Sequence, residues 1–346
     1  MASKTVGWAG FGACRWVGKA YDGGVIRSFV FNEGKLAAQD LDLDALRLVR
    51  SDKGLIIWID LDNPTDEETR NVLEGLFQFH PLSIEDCVAV SQLPKIEDYE
   101  DYLFMVMHAV DFNRQDKFIS TELNLFLGKD YLVTYHEQPL RSVKTAIERS
   151  VNKIGAIARG PDRLAHTLLD LMVDNYVPVM DELHQEIEEM EDTLLEKHAE
   201  DLTPMIMDCR KDLSLLRRIV RPQREMIGRL ARGEYKLIRP NLLPYFRDIH
   251  DNLVRIEDTA LSASEQLLSS FDLYINRTAQ QSNEGIKILT GLTALTLPPV
   301  VIGSWFGMNF ANMPELDWKI SYPLVWILTL AATAGMWCWL KKKKLF

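Results

Sequence analysis

Cysteine is scarce in this sequence, and several features of secreted proteins are missing. The cysteines are far apart and form no CxxC pair: Cys14, Cys87, Cys209 and Cys338. This spacing argues against a disulfide framework and against a cysteine-based zinc site, and it favours a reduced, cytosol-facing protein. No charged segment followed by a short apolar run opens the sequence, so we predict no cleavable signal peptide.

Positive charge is also in short supply. The sequence has 39 Lys and Arg against 50 Asp and Glu, a net charge of −11, which argues against a nucleic-acid partner and suits cations. Catalytic motifs are missing as well, because there is no P-loop and His136-Glu137 lacks the second histidine of an HExxH zinc site. We therefore predict that the protein is not an enzyme and uses no organic cofactor.

Two uncharged apolar runs lie near the C-terminus, over residues 288–306 and 322–340. A helix of about 19 residues is roughly 28 Å long, which is enough to cross the hydrocarbon core of a bilayer. The alternative is a pair of buried core helices in a soluble protein, but two such runs rarely lie so close together outside membranes. We predict membrane spans over about 286–306 and 322–340, joined by a loop over 307–321.

The charges that flank the two runs predict their orientation. Lysines 341–344 follow the second run, whereas the loop carries the acidic residues Glu315 and Asp317 against Lys319 alone. The positive-inside rule places the lysines in the cytoplasm and the loop outside. With two crossings, both termini are then cytoplasmic, and we predict a multi-pass protein of the cell inner (plasma) membrane.

The sequence before the spans is typical of an α/β region followed by long helices. Residues 55–61 and 102–110 are predicted strands, residues 123–127 and 131–135 a predicted hairpin, and Thr65 with Glu68 a capping box. The predicted organisation is an α/β cytoplasmic domain over 1–160, a long-helix region over 161–282 and a transmembrane domain over 283–346. Residues 1–24 show no clear pattern.

A heptad seam precedes the first span. Apolar residues alternate at spacings of four and three: Ile249, Leu253, Ile256, Ala260, Ala263 and Leu267. No Gly or Pro interrupts the sequence between Tyr245 and Gly285, so the pattern predicts a long coiled-coil-like stalk helix that continues into the membrane. Such a helix could transmit motion or serve as a static stalk, and the pattern does not distinguish the two.

The first span has the features of a pore lining. Two helices cannot enclose an aqueous path, so transport would require several copies around an axis. A polar stripe runs along this span: Asn283, Thr290, Thr293 and Thr296. Threonine hydroxyls can equally bond to the carbonyls of their own helix. Pro298 and Pro299 lack an N–H, which frees two upstream carbonyl oxygens to face water or ions.

The triplet Gly307-Met308-Asn309 follows the first span directly. Gly307 can end the helix, and Asn309 offers an amide oxygen at the outer mouth. A ring of uncharged oxygens suits Mg²⁺, because this ion gives up its water reluctantly and can be selected in hydrated form through hydrogen bonds. Alone, a Gly-x-Asn sequence after a helix is commonly only a cap and a turn.

In context, these features resemble the CorA family of magnesium channels. The resemblance lies in the two C-terminal spans, the GMN triplet, the NMPEL sequence after it and the terminal lysines. Residues 80–109 and 244–251 look like the family's cytoplasmic-domain and stalk signatures. The resemblance implies an α+β membrane protein that forms a funnel-shaped homopentamer and passes Mg²⁺, with Co²⁺ and Ni²⁺ as further candidate ions.

The resemblance also implies roles for individual residues. Gly307, Met308 and Asn309 match the selectivity filter, with Asn309 forming the ring. The matching pore-lining positions are Asn283, Ile286, Leu289, Thr290, Thr293, Leu297 and Val300. Of these, Ile286, Leu289 and Leu297 would form a hydrophobic gate that closes by dewetting. Phe306 departs from the family pattern, because many relatives carry tyrosine there.

Regulation is implied in the same way. In relatives, Mg²⁺ binds between neighbouring cytoplasmic domains and holds the channel shut. The matching carboxylates are Asp86 and Asp248, with Glu85 and Asp251 as nearby candidates. The negative net charge agrees, because a divalent ion between facing carboxylates would relieve repulsion between copies.

Two alternative functions remain open. One is the zinc-transport branch of the same family, although the MPEL sequence after the triplet favours the magnesium branch. The other is a two-span membrane scaffold or sensor that conducts nothing. Cation flux separates these functions from a magnesium channel.

Overall fold

The computed structural model describes residues 25–52, 54–89, 93–112, 118–152, 159–195, 202–308, 314 and 318–343. The chain divides into two compact units, one up to Gln266 and the other from Leu267 onward. Residues 1–24, for which the sequence predicts no pattern, lie outside the described part of the chain.

A seven-stranded mixed sheet forms the centre of the first unit, with strand order β2-β1-β3-β7-β6-β5-β4. Strands β3 and β7 pair in parallel, and the other neighbouring strands pair antiparallel. The strands are β1 Val25–Asn32, β2 Lys35–Gln39, β3 Leu55–Asp62, β4 Lys95–Asp98, β5 Tyr102–Phe112, β6 Phe118–Gly128 and β7 Tyr131–His136. The predicted strands and the predicted hairpin are confirmed.

Helices make up the remaining regular structure of the described chain. They are α1 Leu43–Arg50, α2 Asp66–Thr69, α3 Pro81–Val88, α4 Arg141–Asn152, α5 Pro161–Asp174, α6 Tyr176–Leu195, α7 Thr203–Ala231, α8 Leu243–Phe306 and α9 Ser321–Lys342. Helix α2 continues as a π-helix over Arg70–Leu76. The predicted capping box is confirmed: the Glu68 N–H donates to Thr65 Oγ1, and the Thr65 N–H donates to the Glu68 carboxylate.

The predicted long stalk helix is confirmed. It is α8, a single helix of 64 residues that contains every position of the heptad seam. All six seam residues predicted from the sequence are buried, and so is Ser270 in the next turn. The spacing therefore predicted the covered face of this helix correctly.

The two faces of the sheet bury different sets of side chains. Alternate residues of β3, Ile57, Ile59 and Leu61, join the cluster formed with α1, the π-helix and α3. In that cluster the ring of Phe79 stacks on Phe126 with centroids 4.3 Å apart. Helices α5 and α6 pack on other residues of the sheet. The sheet is therefore a two-sided core, which explains why its central strands are buried along most of their length.

Two buried polar contacts fix the helices of the first unit. The Tyr176 O–H donates to the His108 carbonyl at 2.7 Å and accepts from Gln223 Nε2 at 2.6 Å, which joins α6 and α7 to β5. At the start of α5, the carboxylate of Asp162 accepts from Arg239 Nε at 2.8 Å and from Nη2 at 2.6 Å. Arg239 comes shortly before α8, so this ion pair ties the entry of the stalk helix to α5.

A polar cluster lies at the parallel junction of β3 and β7. The register pairs Asp60 with Thr134 and Asp62 with His136. Thr134 Oγ1 donates to Asp60 Oδ1 at 2.6 Å, while His136 Nε2 lies 3.3 Å from the same oxygen. Burial lowers the pKa of His136, but the contact with Asp60 and the charge of Asp62 outweigh burial and raise it above its ordinary value.

Protonation of His136 is expected to stabilise the fold. Because the folded-state pKa is raised, this stabilisation is complete below the unfolded value of about 6.5 and is lost as the pH rises through the folded value. The melting temperature of the full chain in detergent should therefore exceed that of H136Q most at acidic pH. The difference should narrow as the pH rises above about 6.5.

The matched control for this experiment is H184Q, since His184 on α6 is only partly buried and lies away from the sheet junction. H184Q measures the effect of a His-to-Gln change that leaves the contacts between β3 and β7 intact. A difference in melting temperature between the native chain and H136Q that stays constant or widens with rising pH would contradict the stabilising role of protonated His136.

Candidate conduction pathway and regulatory carboxylates

Two helices in the described part of the chain are long and apolar enough to cross a membrane. One is the continuous helical stretch Pro240–Phe306 and the other is α9, Ser321–Lys342. In the most apolar window of each helix only 6% of the residues are buried within the chain. Apolar surface of this extent must be covered by lipid or by further copies of the protein.

The predicted pore-lining residues all lie on α8. Apart from the adjacent pair Leu289 and Thr290, successive members are three or four residues apart, which places them on one side of the helix. All of them are exposed in the single chain: Asn283, Ile286, Leu289, Thr290, Thr293, Leu297 and Val300. The structure thus presents the predicted pore-lining residues on an uncovered surface, which another copy of the chain can face.

The threonines of the stripe also bond within their own helix. Thr293 Oγ1 donates to the Leu289 carbonyl at 2.8 Å, and Thr296 Oγ1 donates to the Thr293 carbonyl at 3.0 Å. Thr329 and Thr333 make the same type of bond in α9. These bonds leave the lone pairs of the hydroxyl oxygens available, so an ion-facing role for the stripe stays a prediction.

Helix α8 ends at Phe306, directly before the triplet, as the sequence predicts. The Gly307 N–H still donates to the Gly303 carbonyl at 3.0 Å. A Cβ at position 307 would lie 3.1 Å from that same oxygen, so glycine is the residue that the end of this helix accommodates best. Met308 follows and is exposed, whereas Asn309 and the loop residues Glu315 and Asp317 lie outside the described residues.

The predicted regulatory carboxylates divide between two elements of the first unit. Glu85 and Asp86 lie on α3, and Asp248 and Asp251 lie on the exposed side of α8. Within the described part of one chain, no group of three or more His, Cys, Asp or Glu residues is arranged to hold a metal ion. A site built from both pairs would therefore need a second copy of the chain to complete it.

Asp86 is already paired with a cation of its own chain. Lys95 Nζ lies 2.5 Å from Asp86 Oδ2 and 3.0 Å from Glu97 Oε1. Burial lowers the pKa of Lys95, but its hydrogen bonds to both carboxylates outweigh burial and raise it, so the ammonium form is favoured. Glu85 precedes Asp86 in α3 and lines a groove of about 500 Å³ together with Glu74 and Phe79.

Asp248 has a neighbour that the sequence analysis missed. Burial raises the pKa of Asp170 on α5, and the charges of Asp174 and Asp248 add to this, while His166 opposes it. Asp170 therefore lies within electrostatic range of the α8 carboxylate. The spacing of four between His166 and Asp170 signals one helix face, but no periodicity in the sequence indicates which other helix that face meets.

The described architecture is that of a membrane protein with an N-terminal α/β unit, a long helix and two apolar C-terminal helices. The model for the CorA-like Mg²⁺ transporter protein family matches residues 53–342, which is most of the chain. The chain therefore belongs to this family, whose members are transporters rather than enzymes. The resemblance inferred from the GMN triplet and its surroundings is confirmed.

Individual relatives agree with this assignment. YfjQ of Bacillus subtilis is 30% identical over 289 residues, covering 84% of this chain and 89% of YfjQ. The cobalt/magnesium transport protein CorA of Thermotoga maritima is 29% identical over 289 residues, covering 83% of this chain and 82% of its own. The zinc transport protein ZntB of Cronobacter sakazakii is 23% identical over 309 residues, covering 85% of this chain and 89% of its own.

A solved structure confirms the fold. The complete structure of the CorA magnesium transporter from Methanocaldococcus jannaschii superposes with a TM-score of 0.77 at 21% identity, covering 91% of this chain and 97% of the other. The predicted fold class is confirmed in its α/β unit, its stalk helix and its two C-terminal apolar helices.

Proposed function

We propose that this protein is a passive channel through which Mg²⁺ enters the cell down its electrochemical gradient. Membership of a family of Mg²⁺ transporters supports this, and the single observation that carries it is the uncovered row of pore-lining residues on α8, the helix that ends directly before the GMN triplet. The membrane potential supplies about 2.3 kcal/mol per charge per 100 mV, which is ample to draw in a divalent ion. Co²⁺ and Ni²⁺ are further candidate ions.

The channel is a homopentamer in this proposal, with α8 of each copy facing a shared axis and α9 facing lipid. Two spans cannot enclose a water-filled path, and the exposed surfaces of both helices support assembly in the membrane. Both termini lie in the cytoplasm, because the lysines after α9 are expected on that side of the cell inner membrane.

Mg²⁺ entering from outside the cell passes the selectivity filter before it reaches the hydrophobic gate. Amide oxygens of Asn309, one from each copy, hold Mg²⁺ with its water shell at the outer mouth. Further in, Ile286, Leu289 and Leu297 form an apolar constriction that closes when it loses water. Glu315 and Asp317 in the outer loop raise the local concentration of cations.

Regulation uses Mg²⁺ bound between cytoplasmic units of neighbouring copies. Asp86 and Glu85 of one copy and Asp248 and Asp251 of the next offer carboxylate oxygens, the hard donors that Mg²⁺ prefers. Asp170, whose pKa is raised in part by the charge of Asp248, adds a further carboxylate to this set. The bound ion offsets repulsion between copies that each carry a net charge of −11 and so holds the channel shut.

Ion flux into liposomes containing the purified protein tests the conduction proposal. We expect uptake of Mg²⁺ that stops when external Mg²⁺ is removed, with protein-free liposomes as the control. Uptake of Zn²⁺ without Mg²⁺ would instead support the zinc-transport branch. If neither ion enters, the protein is a membrane scaffold or sensor and the channel proposal is wrong.

A further inference from the structure

Lys95 lies between two carboxylates in the first unit, and one of them belongs to the proposed regulatory site. Its ammonium group contacts Asp86 Oδ2 and Glu97 Oε1, and Glu97 is itself held by the O–H of Tyr99 at 2.8 Å. The side chains of Lys95 and Asp86 are 27% and 28% exposed. An ion arriving from solvent can therefore reach the carboxylate that the lysine occupies.

We propose that Lys95 is a built-in competitor of Mg²⁺ at Asp86, and that it sets the Mg²⁺ concentration at which the channel closes. This inference rests on the proposed regulatory role of Asp86. The lysine neutralises the carboxylate while Mg²⁺ is scarce, and its positive charge opposes the approach of a divalent ion. Mg²⁺ binding requires the ammonium group to leave Asp86.

The second contact makes this exchange reversible. When Mg²⁺ takes Asp86, the ammonium group keeps its bond to Glu97, so no charge is left unpaired. When Mg²⁺ leaves, Lys95 returns to Asp86 over a short distance. A partly exposed ion pair of this kind contributes little to the stability of the fold, so stability alone gives a weak account of the arrangement.

The test is a Mg²⁺ titration of the melting temperature of the full-length protein in detergent at constant ionic strength. Mg²⁺ that binds the folded assembly raises the melting temperature once its concentration exceeds the dissociation constant, and the rise then continues with the logarithm of the concentration. We therefore define the midpoint as the Mg²⁺ concentration that produces one fixed rise in melting temperature, chosen on the curve of the native chain. We expect the midpoint of K95Q to lie at about a tenfold lower Mg²⁺ concentration than that of the native chain, because one opposing charge is gone. K95R keeps the charge and should stay close to the native value.

Three further variants make the result decisive. K129Q removes a lysine charge from the exposed turn between β6 and β7, so it should leave the midpoint unchanged. D86N and D248N should abolish the Mg²⁺ response. If these two variants respond like the native chain, the regulatory site and the role of Lys95 both fail. If they lose the response while K95Q keeps the native midpoint, the role of Lys95 alone is wrong.

Discussion

Replacing Asn309 by alanine is expected to lower Mg²⁺ uptake by at least about a hundredfold. In the proposed pore every copy contributes this amide, so one substitution removes a whole ring of oxygens that hold the hydrated ion. Each lost hydrogen bond to a charged group costs about 1.5–3 kcal/mol, and two such losses already exceed a factor of one hundred in rate. The measurement is uptake in a Mg²⁺-requiring strain and in liposomes.

Asn312 provides the matched control, because it carries the same side chain in the same loop but lies outside the triplet. We expect N312A to retain most of the native uptake. Both variants must be present in the membrane at native amounts, as measured by immunoblot of the membrane fraction. Unchanged Mg²⁺ uptake by N309A at native abundance would contradict the filter assignment and favour a non-conducting role.

Replacing Arg239 by alanine is expected to destabilise the first unit by about 2–3 kcal/mol, because it leaves the buried carboxylate of Asp162 with backbone N–H donors alone. Asp162 is only 3% exposed, and Arg239 supplies its two side-chain contacts at 2.8 and 2.6 Å as well as a backbone N–H at 3.2 Å. The backbone at Gly160 fits closely around the guanidinium, and a Cβ there would collide with it. Thermal unfolding followed by circular dichroism measures the loss.

Arg47 provides the comparison for this prediction, because its pair with Asp44 is exposed on α1. R47A should lower the free energy of unfolding by no more than about 0.5 kcal/mol. The stability of R239K should lie between those of the native chain and R239A, since lysine keeps the charge but cannot make the bidentate contact with the carboxylate. If R239A and R47A are equally stable, the buried ion pair does not hold the entry of the stalk helix.

The parts of the fold that the sequence predicts are those in which side-chain periodicity and secondary structure agree. The strand at 55–61 is a dense apolar run, and the α8 seam follows a strict spacing of four and three. The hairpin of β1 and β2 was not predicted. Its two-residue turn uses Glu33 and Gly34, both at positive φ, and glutamate at the first turn position is not the usual signal for such a turn.

The π-helix over Arg70–Leu76 was also missed. Its three buried residues, Val72, Leu73 and Leu76, keep spacings that an α-helix would also allow. The difference lies in the backbone hydrogen bonds: the Phe77 N–H bonds to the Val72 carbonyl, five residues back. Side-chain pattern does not reveal such a shift of partners.

The site was predicted unevenly for a similar reason. The stripe on α8 and the end of that helix at Phe306 follow from spacing within one element, so the sequence predicted both. The pairing of Lys95 with Asp86 joins β4 to α3, and the approach of Asp170 to Asp248 joins α5 to α8. Contacts between elements depend on tertiary packing, for which one sequence gives no periodic signal. The role of Asn309 stays a prediction.

The parallel pairing of β3 with β7 has a consequence for biosynthesis. This pairing lies in the middle of the sheet, and its last partner residue is His136. All seven strands have therefore left the ribosome long before the residues of α8 and α9 are translated, and domains generally fold as units in the order of their synthesis. The sheet can close while both membrane helices are still unmade, so folding in water and insertion into lipid are successive events during translation.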